Sequence, residues 1–351
     1  MVNRGVSIGR RLVGPGQPCF IIAEAGVNHN GEMEMALRLV EEAAKAGADA
    51  VKFQTFKAER LVTCHAPKAQ YQKETTGETE SQLEMLRRLE LSPRAHCELM
   101  AYSRQCGIMF LSSPFEEESA DLLGGLDVPA FKIPSGEITN LCFLAHVARK
   151  RKPLIVSTGM ATLDEVKTAV RTVEEAGNSE LILLHCVSSY PANPADVNLR
   201  ALHTLGDTFK VPVGYSDHTL GTEVAVAAVA LGACVIEKHL TLDRSLPGPD
   251  HRASLEPAEF THLVRAIRVV EAALGHGRKE PAASESGIAA VARKSLVAAR
   301  TIPAGSVLIE ELIAVRRPGT GLAPEMKARV IGRRVIREIP AGSVLTLEML
   351  A

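Results

Sequence analysis

The chain has 351 residues, of which 46% are apolar and 23% charged, so it can build hydrophobic cores and is not disordered throughout. Aromatic residues make up 4%, tryptophan is absent and the net charge is -1, which argues against single-stranded and duplex nucleic acid as partners. The longest apolar run, residues 224–236, is shorter than the roughly 20 residues of a membrane helix. Residues 1–11 lack the apolar stretch of a secretory signal, and seven cysteines without a C-x-x-C pair fit a reducing cytoplasm.

Short apolar segments alternate with helical segments from residue 19 onward. Strands are predicted at residues 19–24, 50–55, 108–112, 130–133, 154–158, 181–186, 213–216 and 235–240, and helices among others at 33–46, 163–176, 222–231 and 256–273. Eight strands, each followed by a helix, predict an α/β fold of the TIM (β/α)8 type. A doubly wound open sheet is the alternative, although the turn after the first strand reads A-E-A-G-V-N-H-N-G and not G-x-G-x-x-G.

Three features divide the chain further. A long polar insertion, residues 56–80, follows the second strand, and long insertions in compact domains are usually functional. Residues 276–290 have the composition of a linker, which predicts a barrel domain over 1–275 and a second domain over 291–351. That second domain repeats I-P-A-G-S-V-L at 302–308 and 339–345, which predicts a small pseudo-symmetric β domain. Its net charge is +5, against -6 for residues 1–290, so the two parts could attract one another.

The ends of the predicted strands carry polar and charged residues, which is where a TIM barrel places its chemistry. Lysines occur within three of the apolar strands, at Lys52, Lys132 and Lys238, and serine or threonine follows several others. Ammonium groups beside hydroxyl donors are typical of a site for a multiply charged anion such as a phosphate or carboxylate. A lysine could instead form a Schiff base, as in barrel aldolases, and residue type alone leaves that alternative open.

His218 and His239 lie at the ends of the seventh and eighth predicted strands, which are neighbours in a closed barrel. Two imidazoles on adjacent strands can share a divalent metal ion, with substrate and water as the other ligands. Two histidines are a weak signal on their own, because buried histidines are often structural. The spacing therefore leaves both readings open.

A set of motifs in chain order resembles the N-acetylneuraminate (sialic acid) synthase family. The residues that carry the resemblance are F-I-I-A-E-A-G-V-N-H-N-G (20–31), V-K-F-Q-T-F (51–56), K-I-P-S-G-E (132–137), S-T-G-M-A-T (157–162), L-H-C-x-x-x-Y-P (184–191), G-Y-S-D-H-T (214–219), E-K-H (237–239) and P-G-P-D-H (247–251). The tail with R-R-P-G-T-G (316–321) looks like the antifreeze-like (SAF, β-clip) domain of that family. The resemblance implies a TIM barrel that condenses phosphoenolpyruvate with an N-acetylated aldose and water and releases phosphate.

The resemblance also implies a role for individual residues. As catalytic residues it implies Glu24, Lys52, Lys132, His218 and His239, of which the two histidines would bind a divalent metal, Mn²⁺ first and Mg²⁺ or Co²⁺ as alternatives. As substrate-binding residues it implies Gln54, Ser113, Ser135, Glu137, Ser157, Ser188, Tyr190, Ser216, Asp250 and Arg317. Arg317 matches an arginine that the antifreeze-like domain inserts into the barrel of the partner in a swapped homodimer.

Two departures from the family pattern bear on the acceptor sugar. Ser188 stands where some members have Asn, and the segment 75–85 lacks an Asn that some members use on the sugar. We expect N-acetylmannosamine as the acceptor and N-acetylneuraminate as the product. The alternative is a 2,4-diacetamido-2,4,6-trideoxymannose that leads to N,N'-diacetyllegionaminate, and pseudaminic-type synthases look less similar at the first strand. A Schiff-base aldolase that uses free pyruvate, or a carbohydrate- or ice-binding module, remains a further alternative.

The domain swap can be tested by complementation between two crippled chains, Glu24→Gln and Arg317→Ala. In a swapped homodimer, a mixed dimer holds one doubly damaged site and one intact site. Random pairing of equal amounts makes half of the dimers mixed, so co-expression should restore about a quarter of all sites. Activity no higher than that of the single variants, with mixed dimers shown to be present, would contradict the swap.

Overall fold

The computed structural model describes residues 5–77 and 79–351. The first four residues of the N-terminal segment, and Glu78 within the segment 75–85, lie outside the described residues. Contacts divide the chain into two compact units, Met1–Gly275 and His276–Ala351. A search of the described helices finds none that is both long and apolar enough to cross a membrane.

The first unit alternates strands and helices. Its strands are β1 (Val6–Ile8), β2 (Arg11–Val13), β3 (Phe20–Gly26), β4 (Ala50–Thr55), β5 (Met109–Pro114), β6 (Phe131–Ile133), β7 (Leu154–Ser157), β8 (Leu181–Cys186), β9 (Val213–Asp217) and β10 (Val235–His239). Its helices are α1 (Met33–Ala46), α2 (Ala58–Leu61), α3 (Gln70–Thr76), α4 (Gln82–Leu89), α5 (Pro93–Gln105), α6 (Glu117–Gly125), α7 (Leu141–Ala148), α8 (Leu163–Glu175), α9 (Ala201–Phe209), α10 (Glu223–Ala230) and α11 (Pro257–Leu274).

Strands β3 to β10 form one parallel sheet in the order β5-β4-β3-β10-β9-β8-β7-β6. The strands at the two ends of this order, β5 and β6, also contact each other, so the sheet curves into a nearly closed barrel. One long helix follows each strand and covers the outside with apolar side chains. The predicted TIM barrel is therefore confirmed.

Alternate residues of each strand point into the barrel, and those nearest the N-terminal ends are apolar. Phe20, Ile22, Leu111 and Ile155 are among the buried residues that pack together there. The antiparallel hairpin β1–β2, which the sequence analysis did not predict, packs Val6, Ile8 and Val13 against the same layer. The hairpin therefore closes the N-terminal end of the barrel interior with apolar side chains.

The polar insertion after the second barrel strand is largely helical rather than an open loop. It contains α2 and α3, and α4 follows directly after a capping box in which Ser81 and Glu84 bond to each other's backbone N–H groups. Met85, Leu86 and Leu89 of α4 are buried against Phe56 and Val27 beside the barrel. The apolar face of α4 therefore fixes this insertion over the C-terminal ends of the strands.

The second unit is a small β domain with its own core. Strands β11 (Ser295–Ala298) and β12 (Ile313–Arg316) pair antiparallel, and the short helix α12 (Ser286–Ala292) begins within the predicted linker. The two I-P-A-G-S-V-L repeats meet at their first residues, because Ile302 and Ile339 exchange both backbone hydrogen bonds, at 2.8 and 2.9 Å. A reciprocal pair of this kind is what a pseudo-twofold axis produces, and the predicted small pseudo-symmetric β domain is confirmed.

Gly214 of β9 offers a test of the barrel packing. A Cβ atom there would lie 2.5 Å from the carbonyl oxygen of Val235 and 2.7 Å from a methyl of Leu184. We expect Gly214→Ala to lower the free energy of unfolding by about 1–3 kcal/mol, because neither the backbone nor the packed barrel interior can move to make room for the methyl group without strain. Urea denaturation of the purified variant measures this.

Gly206 in α9 provides the matched control, since a Cβ atom there has its nearest neighbour at 3.7 Å. Gly206→Ala should leave stability unchanged or raise it by roughly 0.5–1 kcal/mol, because alanine favours a helix interior over glycine. Equal unfolding midpoints for the two variants would contradict the packing argument.

Candidate active site

A cavity of about 350 Å³ opens at the C-terminal ends of the barrel strands. Most of the site residues that the resemblance implies in the first unit line it, and the structure thus brings them together. They are Glu24, Lys52, Gln54, Ser113, Lys132, Ser135, Ser157, Ser188, Tyr190, Ser216, His218, His239 and Asp250. The cavity lies where a TIM barrel carries its chemistry.

The alternation of side chains along β10 decides which of its residues reach this cavity. Glu237 and His239 point inward and line it. Lys238 does not belong to the anion site, which corrects the sequence-based expectation. Its ammonium group is fully buried away from the cavity, where it donates to Asp217 Oδ2 at 2.7 Å and to the carbonyl of Thr219 at 2.6 Å. The physical reason is the two-residue period of a strand, which sends Lys238 to the opposite face from its neighbours.

Charged groups of both signs meet at the base of the cavity. Lys52 Nζ lies 2.6 Å from Glu24 Oε2 and 3.6 Å from Glu237 Oε2. Lys132 Nζ lies 3.4 Å from Glu237 Oε1, which also accepts a hydrogen bond from Ser216 Oγ at 2.9 Å. Glu237 therefore bridges the two buried ammonium groups, as such groups require counter-charges inside a protein.

The two carboxyl groups at this base ionise differently. Burial disfavours the charged form of Glu237, but the charges of Lys132 and Lys52 outweigh it and lower the pKa of Glu237 to about 2. Burial raises the pKa of Glu24 to about 7 against the pull of Lys52. Burial likewise raises the pKa of Asp250, on the cavity wall, to about 6. The site thus combines one carboxylate that stays ionised, Glu237, with two carboxyl groups whose pKa values are raised toward neutral pH.

Hydroxyl groups surround the two lysines. Lys52 donates to Ser113 Oγ at 3.0 Å, and Ser135 Oγ accepts the backbone N–H of Gly159 at 3.1 Å. Ser157 Oγ is buried and has no hydrogen-bond partner within the described parts of the chain. A buried hydroxyl without a partner is costly unless a ligand completes it. This ring of donors around two cations suits an anion with several oxygen atoms.

The imidazoles of His218 and His239 lie side by side, with ring centroids 5.6 Å apart. Burial lowers the pKa of both rings, so they are neutral at physiological pH. His218 Nδ1 donates to the carbonyl of Val187 at 2.7 Å, whereas Nδ1 of His239 is buried without a partner among the described residues. Neutral imidazoles, one of them oriented by a backbone carbonyl, are in the state that binds a metal ion.

No group of three or more potential metal ligands occurs within residues 5–77 and 79–351. The histidine pair would thus supply two ligands, and a bound substrate and water would have to supply the others. The adjacent neutral imidazoles, one of which has a buried nitrogen without a partner among the described residues, fit a divalent ion.

The outer wall of the cavity is apolar on one side. Seven apolar residues line it, and most of them come from the segment between β4 and α5. They are Val27, Leu61, Val62, Met85, Leu86, Leu89 and Phe115. The sequence analysis missed this wall, because it treated residues 56–80 as a polar insertion and gave no role to the apolar residues of α4. It also gave Glu237, one of the polar residues at the end of the eighth strand, no role in the site, although the two-residue period of E-K-H was a signal that could have found one.

Two predicted site residues lie elsewhere. Glu137 is half-buried and does not line the cavity; its Oε2 accepts a hydrogen bond from Asn140 Nδ2 at 2.8 Å, next to the start of α7. The turn that follows β6 directs Ser135 into the site, and Glu137 ends on the far side of that turn. Arg317 belongs to the second unit, where it is exposed directly after β12.

Comparison with known proteins gives two family matches. The NeuB family matches residues 39–279 and the SAF domain matches residues 293–351. The chain is 50% identical to an N,N'-diacetyllegionaminic acid synthase of Legionella pneumophila, over 99% of this chain and 98% of the relative. It is 49% identical to an enzyme of the same name from Campylobacter jejuni, over 90% of this chain and 95% of the relative. A solved N-acetylneuraminic acid synthetase from Leptospira borgpetersenii, in complex with citrate, aligns with a TM-score of 0.72 and 37% identity, over 82% of this chain and 95% of that one.

The bridging role of Glu237 yields a stability prediction. Glu237→Gln leaves two buried ammonium groups short of a counter-charge, so we expect a loss of about 3–5 kcal/mol in the free energy of unfolding at neutral pH. The pKa of Glu237 is lowered in the folded state, from 4.5 to about 2, so its contribution is fully present above the ordinary value and is lost as the pH falls toward 2. Urea denaturation at pH 7 measures the loss.

Glu175 is the matched control, because it is exposed and its ion pair, with Arg171 one helical turn away, lies on the surface. Glu175→Gln should change stability by no more than about 0.5 kcal/mol. Inorganic phosphate should raise the unfolding temperature of the wild type by occupying the same cations. A Glu237→Gln variant as stable as the control would show that Glu237 does not hold the base of the cavity together.

Proposed function

Because the chain belongs to the NeuB family, we propose that it is a nonulosonic acid synthase that makes N,N'-diacetyllegionaminate. In this reaction phosphoenolpyruvate, 2,4-diacetamido-2,4,6-trideoxymannose and water react, and phosphate is released. The observation that carries the proposal is the 50% identity to an N,N'-diacetyllegionaminic acid synthase over 99% of the chain. The sequence analysis expected N-acetylmannosamine as the acceptor, and the relatives favour its alternative.

The apolar wall of the cavity supports this acceptor. Compared with N-acetylmannosamine, the trideoxy sugar has a methyl in place of the hydroxymethyl group at C5 and an acetamido group in place of the hydroxyl at C4. The first change removes a hydroxyl group, and the second adds a methyl group together with an amide that needs hydrogen-bond partners. Side chains such as Leu61, Val62 and Met85 would cover the two methyl groups, and polar residues of the same lining would bond the amide, whereas the apolar side chains would leave the two extra hydroxyl groups of N-acetylmannosamine without partners.

The base of the cavity supports phosphoenolpyruvate as the anionic substrate. Lys52 and Lys132 would face its phosphate and carboxylate oxygens, and the hydroxyl groups of Ser113, Ser135, Ser157, Ser188 and Ser216 would complete their hydrogen bonds. Glu237 balances part of the lysine charge, so an incoming anion competes with a carboxylate that is already in place. Fixed donors of this kind hold the substrate in attack geometry without reorganisation during the reaction.

The reaction then proceeds in two stages. C3 of phosphoenolpyruvate attacks the aldehyde carbon of the open-chain sugar, a C–C bond forms, and the aldehyde oxygen takes up a proton. Glu24, whose pKa is raised to about 7, lies in the cavity and can donate this proton, whereas Asp250, whose pKa is raised to about 6, is mostly ionised at neutral pH. Water adds to the electron-poor C2 and loses one proton to a deprotonated carboxylate. The resulting C2 hydroxyl then becomes a carbonyl as the C–O bond to phosphate breaks, and its proton leaves with the phosphate.

We propose His218 and His239 as the protein ligands of a divalent metal ion, with Mn²⁺ preferred and Mg²⁺ or Co²⁺ as alternatives. A metal bound there would polarise the sugar aldehyde as a Lewis acid. Tyr190 packs against both rings, and its ring centroid lies 4.1 Å from that of His218 and 5.6 Å from that of His239. Tyr190 would thus fix the orientation of both imidazoles from the side of the cavity.

We also propose that the protein acts in the cytoplasm as a homodimer in which Arg317 completes the sugar site of the partner. All seven cysteines are free, which fits a reducing compartment. The opposite net charges of the two parts of the chain favour their association. The complementation experiment described above tests the exchange.

Phosphate release tests the acceptor. With phosphoenolpyruvate present, we expect kcat/KM to be at least about tenfold higher with the diacetamido-trideoxy sugar than with N-acetylmannosamine, since burying each apolar group in place of a hydroxyl is worth on the order of 1 kcal/mol or more. Glu24→Gln serves as the inactive control for background hydrolysis. A higher kcat/KM with N-acetylmannosamine would overturn the proposed acceptor and restore the first expectation.

The same assay separates the remaining alternatives. Chelation should abolish phosphate release and added Mn²⁺ should restore it, whereas a fully active metal-free enzyme would remove the metal from the proposal. Borohydride in the presence of pyruvate should leave no covalent adduct on Lys52 or Lys132. Trapping of pyruvate on either lysine would indicate a Schiff-base aldolase instead.

A further inference from the structure

A column of aromatic rings connects the insertion to the histidine pair. Tyr71, in α3, stacks on Tyr190 with ring centroids 5.3 Å apart and an interplanar angle of 28°. Tyr190 in turn packs against His218 at 4.1 Å and meets His239 edge-on at 5.6 Å. Tyr71 is thus the outermost ring of a column whose inner end is the proposed metal site.

Tyr71 itself also borders the cavity. Its side chain lines the space together with Gln72 of the same helix and with Asp250. The sequence resemblance assigns no role to Tyr71, because the motifs that carry it come from the barrel strands and their ends rather than from the insertion. The ring therefore stands at the mouth of the site with one face on Tyr190.

Helix α3 depends on contacts outside the helix, and the stack of Tyr71 on Tyr190 is one of them. The helix has seven residues, none of them buried within its described length, and a helix this short is not stable by itself. Lys68, just before it, is buried and donates to Thr76 Oγ1 at 2.9 Å and to the carbonyl of Gly77 at 3.2 Å, which ties the two ends of the helix together. These bonds give α3 its shape, and the stack of Tyr71 on Tyr190 is a contact that places it against the barrel.

We propose that Tyr71 is a positioning and specificity residue for the acceptor sugar. Its ring holds Tyr190 against His218 and, with Tyr190, forms an aromatic wall against which the apolar groups of the aldose pack. This inference rests on the proposed function, since it concerns the aldose that the synthase accepts. Phosphoenolpyruvate would lie at the base of the cavity, on Lys132 and Ser157, and does not depend on the wall.

Steady-state kinetics of Tyr71→Ala and Tyr71→Phe test the proposal. Loss of the ring in Tyr71→Ala should raise the KM for the aldose on the order of tenfold and leave the KM for phosphoenolpyruvate within about twofold. Tyr71→Phe keeps the stack and should stay within about twofold of the wild type for both substrates. Thermal unfolding of both variants verifies that the barrel is intact.

A fluorescence experiment gives a readout independent of turnover. The chain contains no tryptophan, so Tyr71→Trp introduces a single reporter at the mouth of the cavity. Its emission should change saturably with the aldose and should not change with phosphoenolpyruvate alone. Tyr102→Trp is the control, because Tyr102 lies on α5 and bonds to Glu41 away from the cavity, and its emission should not respond to the aldose.

The outcomes distinguish the inference from the function on which it rests. A wild-type enzyme that releases no phosphate with any candidate aldose contradicts the proposed function. An active wild type with an unchanged aldose KM in Tyr71→Ala, or with no response of the introduced indole, overturns the role of Tyr71 alone. A Tyr71→Phe variant as impaired as Tyr71→Ala would also overturn it, because the hydroxyl and not the stacked ring would then be responsible.

Discussion

Two ammonium groups can stay inside this barrel because a carboxylate lies between them. Glu237 reaches both Lys52 and Lys132, and its own pKa falls as a result. Removing any one of the three charges from water alone would cost several kcal/mol, so the group is stable only as a unit. The position of this unit also divides the barrel interior into an apolar layer toward the hairpin and a polar layer toward the mouth. The arrangement of the cavity follows from that division.

The sequence predicted the barrel well because its signal is local. Each strand is a short apolar segment between breaking residues, and helix α1 was predicted at its observed bounds because its apolar stripe and the following Gly47 mark both ends. The residues at the strand ends could be placed together because parallel strands carry their C-terminal ends to one side. Predicting those parts of the site required knowledge of the fold but not of side-chain packing.

The features that escaped prediction depend on contacts between distant segments. The hairpin β1–β2 has only three residues in each strand, too few for a periodic pattern, and it is held by packing under the barrel. Lys238 looked equivalent to Lys52 and Lys132 by residue type, and only the register of β10 separates it from them. Tyr71 lies in a segment that is polar on average, so its value comes from a single ring contact with Tyr190. A composition that is averaged over a whole segment does not reveal a single contact of this kind.

The hairpin under the barrel has a consequence for the order of events in the proposed reaction. Because Val6, Ile8 and Val13 pack against the apolar layer at the N-terminal end, the described residues close the barrel at that end, and the cavity opens at the C-terminal ends of the strands. A small anion destined for the floor must then pass the place that the larger sugar occupies. In the proposed reaction phosphoenolpyruvate would therefore enter before the aldose, and an excess of aldose would obstruct its path. The closed end of the barrel would in this way set the order in which the two substrates bind.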